Sequence, residues 1–296
     1  MAGPTHRGPF FRPQAVGNPY PVGMDLDAAL RRLAADPDHP VDLAELALHL
    51  AADEYPGLDV PAYLARLDAY AAAVAPRLTG PLAGRVAALT GYLFGEEGFR
   101  GNADDYYDPR NSYFNDVLDR KLGLPITLSV LAAAVGARCG LAVAGVGLPG
   151  HFVAKAVDAG GEVVFDPFHG GRVLDRAGCE ALVEGVTGRE FTATADALAA
   201  TPPGLVAFRM LSNLKAVYLR RPDFPRAARV MERMVQLAPG DPTQRRDLGV
   251  ALVRAGKPGR ALNHLRAYLE VTPAPEDAGA VAAFLREARQ AVARWN

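Results

Sequence analysis

Cysteine is scarce in this chain: 296 residues contain two, Cys139 and Cys179. That excludes a disulfide-stapled scaffold and a cysteine-built zinc module, and it points to a reducing, cytoplasmic setting. Long apolar runs are lacking as well. The uncharged stretch from Leu122 to Ala137 is shorter than a bilayer requires, and Arg138 closes it, so a buried helix explains it better than a membrane span. Residues 1–23 hold many Pro and Gly and no continuous apolar segment, and read as a flexible tail, not a secretory signal. Net charge is also small, −1, which argues against a nucleic-acid binder. The charge is nevertheless segregated: from Leu205 onward 16 Lys and Arg face 8 Asp and Glu, and the preceding residues carry 16 against 25. Docking between the two halves, or merely a set of solvated arginines, is the simplest reading of that asymmetry; an acidic partner or a nucleic acid is the other.

What is present is an ordinary globular proportion of apolar residues, 50%, in a chain long enough for two domains. Between Met24 and Gly95 apolar residues recur at spacings of three and four in four runs, with prolines where helices start or stop. The spacing predicts an all-helical front. Phe99 to Asp116 reads as a polar, turn-rich link, and its Asp104, Asp105 and Asp108 lack the spacing of a calcium loop. Pro125 to Arg138 has the length and apolar character of a buried helix, ended by Gly140. Three β-prone runs follow, LAVAGV, HFVAKAV and EVVFD, the last two joined by the turn residues Asp158 to Gly161. The fold class expected is α+β and mostly helical: a buried helix on a small antiparallel sheet, then a C-terminal helical module.

From Gly204 a repeat is measurable. Ala227 and Ala261 lie 34 residues apart, as do Leu214 and Leu248, Met231 and Leu265, and Pro239 and Pro273. That is the tetratricopeptide period, with each Ala where two helices approach closely. Two repeats bury their own apolar faces poorly, so the module should lean on the preceding domain or on a partner. The expected boundaries are 1–23 for the tail, 24–200 for the first domain and 201–296 for the repeats.

The chemistry-bearing residues sit in the middle. His151 opens one predicted strand and Asp166 ends the next, with the hairpin turn about midway between them, so antiparallel pairing brings them together. A carboxylate beside an imidazole fixes its tautomer and raises its basicity, as in a nucleophile, base and orienter triad. The segments GLPITLSVLAAAVGARCGL, PGHF and FDPF resemble the transglutaminase-like superfamily, in which a nucleophilic Cys opens the central helix. More specifically, NSYFNDVL, GLPITLSVL, GVGLPGHF and DPFHGGR are similar to the bacterial Sir B family, in which such a domain precedes tetratricopeptide repeats, over residues 24–296. The resemblance implies a papain-like core with His151 and Asp166 as the second and third triad members. It also puts Pro125 at the nucleophile's position, where no sulfur is available.

No other residue is an obvious substitute. Cys139 stands 14 residues beyond Pro125, about 21 Å along a helix, and Cys179 reads as a small buried hydrophobe. Thr127 and Ser129 carry hydroxyls near the helix start, where such groups commonly bond to the backbone. His169 extends the His151 and Asp166 rim, so the three can form a small ligand cleft; zinc is conceivable there, but no ligand spacing demands it, and no metal or cofactor is expected. The expectation is a noncatalytic module with a vestigial triad that binds a protein or peptide. Its surfaces would be that cleft and the concave face of the repeats around Asn213, Tyr218, Asp247 and Arg254. Its rivals are a cysteine-independent hydrolase or acyl transferase of amide or isopeptide bonds, using His151 and Thr127, and a nucleic-acid contact through the basic C-terminal part.

Overall fold

The structure, a computed structural model, describes residues 18–20, 23–271 and 276–294. The tail expected over residues 1–23 falls largely outside them, as does Pro273 of the repeat pairs. Four helices form the front: α1 (Leu26–Ala35), α2 (Leu43–Ala52), α3 (Val60–Val74) and α4 (Leu82–Thr90). The first three start on aspartates, Asp25, Asp42 and Asp59, whose carboxylates accept the free N–H groups of the first turn. The last of the four apolar runs is α-helical only to Thr90. Gly91–Glu96 is wound wider, with Glu97 N–H reaching back five residues to the Tyr92 carbonyl at 2.8 Å.

The polar link carries more structure than its composition suggests. Strand β1 (Arg100–Gly101) pairs in parallel with β2 (Leu122–Gly123), and between them α5 (Phe114–Arg120) buries Phe114, Val117 and Leu118. Lys121 ends that helix at φ 57, a left-handed position a non-glycine residue seldom takes.

Helix α6 (Pro125–Arg138) is buried on almost every side and packs on a four-stranded antiparallel sheet. The strands are β3 (Val143–Leu148), β4 (His151–Asp158), β5 (Gly161–Asp166) and β6 (Arg172–Leu174), in sequential order, β6 being one the sequence did not suggest. Alternation divides the sheet cleanly. Phe152, Ala154, Ala156 and Phe165 join the α6 core, whereas Val146, Val153 and Val164 face α7 (Arg176–Thr187) with its Cys179 and Val183. Arg138, 1% exposed, ties α6 to the front by donating to Asp42 at 2.7 Å and Asp68 at 2.9 Å.

The C-terminal helices are α8 (Pro203–Arg220), α9 (Phe224–Leu237), α10 (Pro242–Arg254), α11 (Pro258–Val271) and α12 (Ala278–Ala293). The repeat-paired residues Ala227 and Ala261, Met231 and Leu265, and Leu214 and Leu248 are all buried. The stack leans on the front helices, whose Leu30, Leu33, Leu46 and Leu50 share its core. Around that seam the segregated charges meet. Arg233 forks onto Asp53 at 2.7 and 2.8 Å and reaches Asp27 at 2.6 Å, while Arg226 and Arg229 hold Glu54 at 2.7 and 2.8 Å.

Candidate functional site

The candidate site forms where the sheet hairpins end. Pro149 and Gly150 connect β3 to β4 in a two-residue turn, Gly150 at φ +69, the sequence a type II turn demands. His151 follows at once. One turn later β4 and β5 pair from Asp158 and Gly161 back to Ala154 and Phe165, which carries Asp166 alongside the start of β4. His151 Nε2 and Asp166 Oδ1 are 3.1 Å apart, both side chains buried. Antiparallel pairing across one hairpin thus brings the pair into contact, as their spacing about its turn predicts.

Asp166 does more than face one imidazole. Its Oδ1 also accepts the Phe168 N–H at 3.0 Å, and its Oδ2 accepts from His169 Nδ1 at 2.6 Å. Burial alone would raise this carboxyl's pKa, but the bonds from His151 and His169 outweigh it and hold it below the ordinary carboxylate value. Gly170 and Gly171, both with positive φ, swing the chain back toward β6, and a side chain on Gly171 would strike Thr90 at 2.5 Å. The two imidazole rings lie nearly parallel, 20° apart with centroids 5.8 Å from each other, and Phe168 stands edge-on to both. Phe168 in turn presses on the bare backbone of Gly101, where any side chain would meet its ring at 2.5 Å. His169 is about half exposed and opens onto a groove of about 800 Å³ lined by Val173, Leu182 and Val186.

Pro125 is the first residue of α6, as the sequence implied, and Thr127 and Ser129 are committed to backbone. Thr127 Oγ1 accepts the Leu124 N–H at 2.9 Å and lies within 3.0 Å of the Asn111 carbonyl, and Ser129 donates to the Pro125 carbonyl at 2.8 Å. Among the described residues neither hydroxyl bonds to His151. The Cys139 thiol donates to the Val135 carbonyl, and burial pushes its pKa up to about 11; burial likewise raises the fully enclosed Cys179. Neither resembles an activated thiolate.

One contributor gave no signal in the sequence. Arg209 of α8 donates to the carbonyls of His151, at 2.5 Å, and Leu148, at 3.1 Å, and lies over the Phe152 ring. Thr201 adds a second staple, its N–H to the Gly145 carbonyl and its Oγ1 accepting from Gly147 N–H, both at 2.8 Å. The helical unit therefore fixes the hairpin that presents His151. Of the residues expected on the repeat surface, Tyr218 is a correction: it is 5% exposed and its hydroxyl bonds to that of Tyr113 at 2.8 Å, because its face of α8 meets the first domain. Asp247 is engaged by Lys215 and Arg246, Arg254 is exposed with its guanidinium over Phe284, and Asn213 is half-buried.

A buried helix on an antiparallel sheet, with a His and Asp at the sheet's end and a helical repeat behind, defines a transglutaminase-like domain followed by tetratricopeptide repeats. The Transglutaminase-like superfamily profile matches residues 61–212 and a Tetratricopeptide repeat profile matches residues 214–286. A "UPF0162 protein" of Xylella fastidiosa is 37% identical over 260 residues, covering 86% of this chain and 92% of the relative. The chain belongs to the transglutaminase-like superfamily and to the UPF0162 proteins. A UPF0162 protein of Vibrio cholerae is 26% identical over 166 residues, 56% of this chain and 61% of that protein. A shorter likeness, 31% over 104 residues, relates 32% of this chain to 17% of F-box only protein 21 of Mus musculus. No solved structure matches.

Proposed function

We propose that this protein is a noncatalytic binding module of the Sir B kind, in which a transglutaminase-like domain, residues 24–200, carries a vestigial triad and presents tetratricopeptide repeats, residues 201–296, to a protein or peptide. The observation that carries this reading is chemical. His151 and Asp166 are paired, yet among the described residues no thiol or hydroxyl bonds to His151, and Pro125 opens the helix where a nucleophile would be needed. The hydrolase reading needs Thr127, whose oxygen is occupied by Leu124 and Asn111 backbone. A nucleic-acid contact through the basic half draws no support from Arg226, Arg229 and Arg233, which are spent on acidic groups of the same chain.

The repeats fit the role because such stacks expose an extended face assembled from successive helices. Two measurements test the reading. A panel of peptide, ester and isopeptide substrates is expected to show no turnover above that of the His151→Ala variant. Capture from the native cell with the full chain is expected to retain a partner that Asn213→Lys with Arg254→Glu releases. Turnover that His151→Ala abolishes at unchanged Tm would replace the binding module with an enzyme.

A further inference from the structure

Folding assembles at the end of the sheet a ligand set that no sequence spacing advertises. One carboxylate stands between two imidazoles: His151 Nε2 at 3.1 Å from one oxygen, His169 Nδ1 at 2.6 Å from the other. Each of the three residues offers a ligand atom, and these atoms all lie within 4.8 Å of one another. A register-fixing pair needs one imidazole; the second is surplus to it. We propose that His151, Asp166 and His169 form a binding site for a divalent transition-metal ion, zinc by preference, with a fourth coordination position open toward the groove beside His169.

The donor set suits that ion. Two imidazole nitrogens and a carboxylate oxygen are borderline ligands of the kind zinc takes, and a three-ligand protein site with a free position is the usual form of an accessible zinc centre. Calcium and magnesium, which prefer all-oxygen shells, fit poorly. Ligand atoms around a tetrahedral zinc at about 2.0–2.1 Å are separated by about 3.3 Å. Both carboxylate-to-imidazole distances, 3.1 and 2.6 Å, are shorter than that figure, so the ion requires these pairs to open slightly, His169 the more, within a set of ligand atoms that already lie within 4.8 Å of one another. His169 can supply that movement, being half exposed on a glycine-flanked turn, whereas His151 and Asp166 are fixed by burial.

Binding needs no redox partner and no net loss of protons from neutral imidazoles. Each ring turns an unprotonated nitrogen to the metal and carries its proton on the other one. For His151 that is Nδ1, which makes no hydrogen bond among the described residues; for His169 it is Nε2, on the more exposed side chain. The Phe168 N–H, donating to Asp166 Oδ1, orients the carboxylate, as a supporting shell does for a metal ligand. The Arg209 bond to the His151 carbonyl, from another helix, holds the first ligand's backbone in place.

The test is titration of the intact, EDTA-treated protein with Zn²⁺, and separately with Co²⁺ followed by its visible absorption. One equivalent is expected to bind at micromolar or lower concentration, with Co²⁺ acquiring the intense absorption of a four-coordinate site. His169→Ala, a change at a half-exposed turn, is expected to weaken binding at least tenfold with the native circular dichroism retained, and His151→Ala to abolish the Co²⁺ spectrum. Because His151→Ala alters a buried side chain, its fold is checked by circular dichroism and the His169→Ala result stands without it. Absence of binding at these concentrations, or binding indifferent to His169→Ala, overturns the proposal. Neither result bears on whether the repeats hold a partner, since capture by the Asn213 and Arg254 variants reads a different surface.

Discussion

Arg138 closes the most apolar stretch of the chain and would be costly to bury alone. It is tolerated because its guanidinium donates to Asp42, itself 3% exposed, and to the Ala134 carbonyl. Asp42 also caps α2, so one carboxylate serves a helix start and an ion pair together. Arg138→Met therefore strands a buried charge, and urea unfolding should register a loss of about 3–5 kcal/mol. Arg138→Met combined with Asp42→Asn should lose less than the two single changes added. Sequence alone marks Arg138 only as an interruption, because its partner lies 96 residues away. His151 and Asp166 were legible for the opposite reason: a single hairpin of readable turn residues joins them. Arg209 was not, since helical periodicity tells which face is apolar and not which loop a polar residue on that helix will reach.

At the scale of elements, glycines mark where helices and rings approach most closely. A Cβ on Gly249 in α10 would lie 2.5 Å from Leu265 Cδ2, 2.7 Å from its Cγ and 3.3 Å from its backbone nitrogen in α11. The flexible end of Leu265 cannot relieve all three, so Gly249→Ala should destabilise by about 1–3 kcal/mol as an overpacked contact. Gly259, in α11, has only Val292 Cγ2 near, at 3.8 Å. Gly259→Ala should be neutral or stabilise by up to about 1 kcal/mol, since it only removes backbone freedom from the unfolded chain. Thermal melts of the two variants side by side separate steric crowding from propensity. Period 34 exposed the repeat to reading because it recurs. The pairing of β1 with β2 and the helix α5 stayed hidden, as two-residue strands have no periodicity and Asp and Asn dominate the segment around them.

Across the whole molecule, acid should act through carboxylates that the fold holds ionised. Asp108, Glu97 and Asp223 are each pushed up by burial, but hydrogen bonds from Arg110, from Lys121 and Tyr92, and from Arg226 respectively bring them below their ordinary values. A lowered folded pKa contributes stability that is fully present above the unfolded value, about 4, and is lost as pH falls through the folded one. Melting temperature should thus hold from pH 7 to about 5 and drop below about 4; a fall that begins near pH 6 would implicate histidine protonation in its place. The seam between the two halves offers a second test, because it joins unlike forces. Arg233 and Asp53 are partly exposed, so a double-mutant cycle to Ala should give a coupling of about 0.5–1 kcal/mol that shrinks in concentrated salt. Tyr113 and Tyr218 share a buried, uncharged hydroxyl contact at 2.8 Å, and Phe at either position should cost about 1 kcal/mol irrespective of salt. If both couplings vanished together in salt, the charges would be holding the apolar seam shut; independent behaviour means that the shared core of Leu30, Leu33 and Met231 holds the seam and the arginines set only its alignment.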